Sequence, residues 1–172
     1  MKIKEVQDKA EELLKPIPHL PASARKWIAE NIWWITIVGV VGVAYSVLIS
    51  LVALAGISLF TSSFGIYSIY AHSGFWYFST LVMLAASVIE LILMATAISP
   101  LKAMHKKGWE MLFLVLLVNA AAGVLNILLS FSFGFLFSLI GLAIGVAIGA
   151  YLLFEIRSHF NLISAVGKKL KK

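Results

Sequence analysis

Glu90 sits inside AASVIELILM, residues 85–94, an apolar run with no other charge. A carboxyl in such a run has two uses. It can take up and release a proton or a small cation, or it can stay neutral and hydrogen-bond a neighbouring helix. Asn119 and Asn126 are the amides of another apolar run, and with Glu90 they make up a candidate intramembrane polar site. Glu155 and His159 stand four residues apart, which puts both on one helix face, the arrangement a metal pair would use. Two ligands beside Arg157 make a poor cation site, and no metal is expected. His19, His72 and His105 are scattered along the chain. No Ser-His-Asp set, phosphate-binding glycine loop or pair of intramembrane carboxylates is present. With no cysteine, thiol nucleophiles, disulfides and thiolate metal sites are excluded. Neither catalysis nor a cofactor is expected.

The elements that must position these residues follow from composition. Of 172 residues, 61% are hydrophobic and 13% charged. Soluble domains carry roughly 25% charged residues, so the lipid bilayer is the expected solvent. Four stretches reach the roughly 20 residues needed to cross it: 32–60, 74–99, 109–130 and 134–156. The first is too long, and its leader too acidic, for a cleaved signal peptide. Strand-like alternation is absent, so the expected fold is all-α: a polytopic four-helix transmembrane bundle with an N-terminal amphipathic helix. Residues 1–31 form the amphipathic segment, 32–156 the transmembrane domain and 157–172 a basic tail.

All 14 Lys and Arg residues fall on one side of such a bundle: six before the first span, three between spans two and three, and five after the fourth. The connections at 61–73 and 131–133 have none. The positive-inside rule then puts both termini on the cytoplasmic face of the cell membrane. The net charge of +6 is accounted for by this topology and by attraction to anionic lipid, and no nucleic-acid partner is expected. Trp27, Trp33, Trp34 and Trp109 mark one membrane interface, and Phe60, Tyr67, Tyr70, Phe75, Trp76 and Tyr77 the other. In the N-terminal segment, Ile3, Val6, Ala10 and Leu13 fall at helical spacing. Pro16, Pro18 and Pro21 then break the helix, and SARKWIAENIWW resumes it.

Lipid gives helices no hydrophobic reason to associate, so close packing and hydrogen bonds must hold the bundle. Each span carries a stripe of small or polar residues: Thr36, Gly39, Val43, Ser46, Ser50 and Ala53; Ser79, Met83, Ala86, Glu90 and Ala97; Asn119, Ala122, Gly123, Asn126 and Ser130; and Ser138, Gly141, Gly145 and Gly149. The last is a glycine zipper, expected to pack tightly on span one or to form a homo-oligomer or membrane-protein contact. Glu90 stands ten residues before Pro100, and Asn119 ten after Trp109. At 1.5 Å per residue both lie about 15 Å deep, near the bilayer centre. No Lys or Arg reaches that depth, so the expectation is a neutral Glu90 hydrogen-bonded to Asn119.

LPASARKWIAENIWW, SPLKAMHKKGWEMLF and YLLFEIRSHF resemble stretches of short four-span membrane proteins of genome-reduced candidate-phylum bacteria. The resemblance implies this architecture and no activity. Two roles compete: a structural or accessory membrane protein that associates through small-residue packing, and a small proton- or cation-coupled transporter or channel subunit using Glu90.

Overall fold

A computed structural model of the chain describes the backbone of residues 3–64, 70–130 and 135–169, and the side chains of 5–56, 77–129 and 135–160. Among the described residues five helices follow one another: α1 (Ile3–Leu14), α2 (Ala22–Phe64), α3 (Tyr70–Lys102), α4 (Lys106–Ser130) and α5 (Phe135–Lys169). The fold is all-α. Four stretches are long and apolar enough to cross a membrane, Ala22–Gly56, Tyr77–Lys102, Lys106–Leu129 and Phe135–Phe160.

The helices run past the apolar stretches at the basic end. α2 begins at Ala22, ten residues before the apolar stretch, because the segment after Pro21 has helical spacing and no breaker; Arg25 N–H already donates to Pro21 O. α3 runs through Pro100 to Lys102, since proline in the last turn forfeits one backbone bond without ending the helix. Met104 then takes a left-handed conformation, φ 55°, and the carbonyls of Leu101 and Pro100 accept from Met104 N–H and His105 N–H. These bonds close a helix C-terminus by turning the chain back. Gly108 completes the hairpin: a Cβ there would lie 2.7 Å from Leu101 N, so any side chain would force α3 and α4 apart. α5 continues into the basic tail as far as Lys169.

The core is concentrated at the basic end. Ala29, Ala97, Leu101, Trp109, Phe113, Leu153, Ile156 and Phe160 are buried in one cluster. Trp109 stacks on Phe113 with ring centroids 5.6 Å apart and meets Phe154 edge-on at 5.5 Å. Ala29 and Ala97 are fully enclosed, and small side chains there let α2 and α3 close up. The same pair meets again at Gly39, where a Cβ would lie 2.5 Å from Met94 Cε. α3 packs most extensively on α2 and α4, whereas α2 touches α5 only sparsely.

Of the two aromatic belts, Trp33 at the basic end lies under the Lys102 ammonium, 5.1 Å from the ring centroid, and Trp27 and Trp34 face outward. Tyr77 is exposed at the opposite end; Phe60, Tyr67, Tyr70, Phe75 and Trp76 fall outside the described side chains, as do Ser130, His72 and the 131–133 connection.

Candidate functional site

Two polar centres stand out, one inside the bundle and one at its basic end. The inner centre joins α3 to α4. Glu90 is buried, and its carboxyl is hydrogen-bonded to the Asn119 side chain. Two to three turns further from the basic end, Ser79 Oγ donates to Asn126 Oδ1 at 2.9 Å. Antiparallel neighbours joined by a three-residue turn place residues of equal depth side by side, which is why these pairs meet. Glu90 and Asn119 differ in surroundings. Glu90 is enclosed by protein, whereas Asn119 is exposed and forms part of the wall of an apolar groove of about 400 Å³ between α2, α4 and α5. Ile28, Ile32 and Ile35 line the groove from α2, and Leu116 and Leu152 from α4 and α5.

The other stripes are used unevenly. On α2, Thr36 is buried but donates to its own helix at Ile32 O, and Ser46 and Ser50 likewise bond to Val43 O and Ser46 O. These hydroxyls are satisfied without a neighbour. On α5, Gly149 packs closely, with a Cβ 2.9 Å from Leu116 Cδ1, so its partner within the chain is α4 and not span one. A Cβ on Gly141 or Gly145 would meet nothing within 4 Å, so within the chain those two glycines make no close helix contact. α5 meets α4 through Leu142, whose Cδ1 lies 2.5 Å from the Cβ position of Gly123, and through Gly149, which leaves Gly141 and Gly145 off the contact.

The second centre is built on Glu155, which is buried although charged. The Pro16–Pro21 segment folds back over α5 and delivers its partners. His19 Nδ1 lies 2.5 Å from Glu155 Oε1, Leu20 N–H donates to Oε2 at 3.1 Å, and Arg25 Nε stands 3.7 Å from Oε2. Tyr151 O–H donates to Pro18 O at 2.7 Å, fixing the same segment. Arg157 pairs with Glu11 of α1 and lies over the Trp109 and Phe154 rings at 5.1 and 5.7 Å. Trp109 Nε1–H donates to Leu153 O at 2.6 Å. Glu155 thus meets His19, and the nitrogen of His159 lies beside Ser158 Oγ at 3.5 Å. Buried charges need partners, and here the His19 and Leu20 partners come from 136 and 135 residues away along the chain. The sequence carried one signal of this, three prolines in six residues forcing a return, but nothing that says where the return lands.

The helices define an all-α, multipass membrane protein, with a polar contact between α3 and α4 and an ion-paired cap at one end. Comparisons with family models, with curated proteins and with solved structures gave no match.

Proposed function

We propose that the protein is a structural or accessory component of the cell membrane, with both termini cytoplasmic, which associates with a second copy or a membrane-protein partner through the glycine face of α5. The observation that carries this reading is the open surface at Gly141 and Gly145. Backbone exposed this way lets a second helix approach closely, and close approach is what holds helices together in lipid. Glu90 supports the same reading. It is buried, bonded to Asn119, and serves to pin α3 to α4.

The second reading, a proton- or cation-coupled transporter or channel subunit, draws on one observation: Asn119, the partner of Glu90, lines the groove between α2, α4 and α5. The rest of that wall is almost wholly apolar. A proton or cation needs a polar or hydrated path, so the structural role is preferred. Gly145→Leu separates self-association from a monomeric role. Wild type is expected to form an oligomeric species in detergent and in nanodiscs, and the variant to fold and to lose it. An unchanged oligomeric state would remove α5 as the contact.

A further inference from the structure

Next to the ion-paired cap lies a cavity of about 290 Å³, lined by Lys15, His19, Arg25, Glu155 and Ser158 among others. Counting Arg157, which holds Glu11, three cations (Lys15, Arg25 and Arg157) stand against two carboxylates (Glu11 and Glu155) around it. Both carboxylate oxygens of Glu155 are taken, one by His19 and one by Leu20 N–H. Arg25 stands off at 3.7 Å, too far for a hydrogen bond, and its buried Nε has no hydrogen-bond partner. Glu11, on the same wall, is committed to Arg157. Lys15 has no ion pair among the described residues. Lys15, Arg25 and the Ser158 hydroxyl thus line a space whose surroundings carry one cation more than carboxylates, and such a wall suits an anion.

The position of the cavity says which anion. It lies where α2 and α5 leave the apolar stretch, level with the interfacial tryptophans. Arg25, Ile28, Ile32 and Ile35 follow one another at helical spacing, so a single stripe of α2 runs from the cationic cavity into the apolar groove. We infer that the basic end holds one anionic phospholipid, its phosphate seated between Lys15 and Arg25 and an acyl chain lying along Ile28, Ile32 and Ile35. Charge selects the headgroup, and the groove gives the chain a surface that a free phosphate would not use. The inference is independent of what α5 binds.

The test uses the full chain in detergent, with dioctanoyl phosphatidylglycerol and dioctanoyl phosphatidylcholine as probes and native mass spectrometry and thermal shift as readouts. Wild type is expected to retain the glycerol lipid in preference to the choline lipid. Lys15→Gln, on an exposed side chain, should weaken that retention about fivefold, the usual effect of one basic residue near a lipid surface. Lys26→Gln removes the same charge outside the cavity, from a side chain paired with Glu30, and should leave retention unchanged. Ile32→Trp should weaken it by filling the groove. Equal retention of the two lipids, or equal weakening by Lys15→Gln and Lys26→Gln, would overturn the site in favour of diffuse attraction. Inorganic phosphate reproducing the full thermal shift would overturn the lipid in favour of a free anion.

Discussion

At the basic end of the bundle, Trp109, Leu101, Ile156 and Phe160 are sealed away and α1, α2 and α5 are tied together by Glu155 and Arg157, whereas at the opposite end every residue of α5 from Phe135 to Gly141 is exposed. The two ends of α5 differ in their polar groups: Glu155, Arg157, Ser158 and His159 lie at the basic end, whereas Ser138 is the one polar side chain between 135 and 149. The basic end brings buried charges that need partners, and rings that find other rings to pack on. Trp109, Phe113 and Phe154 interlock, and Arg157 lies over two of those rings. The opposite half offers Phe135, Phe137 and aliphatic side chains that lipid solvates as well as protein does, so nothing draws α5 inward there. The lesson is that a membrane bundle closes where its polar and aromatic groups oblige it to, and the remainder is left for a partner.

The largest expected effect breaks the closed end. Trp109→Ala removes a ring that is 1% exposed, the stack on Phe113 and the bond to Leu153 O. By analogy with large-to-small core changes it should cost about 3–5 kcal/mol, read as a drop in thermal stability in detergent. A loss below about 1 kcal/mol would mean that the aromatic cluster does not hold this end together.

A smaller effect is expected at Glu90, deeper in the bundle. Glu90→Leu leaves Asn119 without its partner and should cost about 0.6–2 kcal/mol, the range for hydrogen bonds between helices in membranes. Glu90→Gln keeps shape and bonding capacity, so stability should barely change. The same variant tests the competing role. A pH-dependent flux in proteoliposomes that wild type shows and Glu90→Gln loses would make Glu90 a coupling group instead of a helix pin.

Much of the fold was legible in the sequence. Four apolar stretches without interior proline, with every Lys and Arg at one end, leave little freedom in architecture. The level of Glu90 and Asn119 could be counted from Pro100 and Trp109, because helix rise is constant and the hairpin between them is short. The cap around Glu155 could not be read this way. Its partners His19, Leu20 and Arg25 lie more than 120 residues away, on a segment whose path depends on proline-fixed backbone angles and not on a periodic pattern. Spacing paired Glu155 with His159, but sharing a helix face says nothing about what approaches from another element. The glycine row was equally visible in sequence, yet only contact with α4 separates Gly149, which packs on Leu116, from Gly141 and Gly145, which stay open.

The central claim is that the glycine face of α5 is where this protein meets another chain. The protein has no cysteine, so single cysteines report contacts without background. Gly141→Cys places a thiol on that face, and Ala143→Cys places one at similar depth on the opposite face; both positions are exposed. After mild oxidation in lipid nanodiscs or native membranes, Gly141→Cys is expected to form a disulfide-linked dimer and Ala143→Cys to remain monomeric. Equal cross-linking at the two positions, or cross-linking only at Ala143→Cys, would contradict the account.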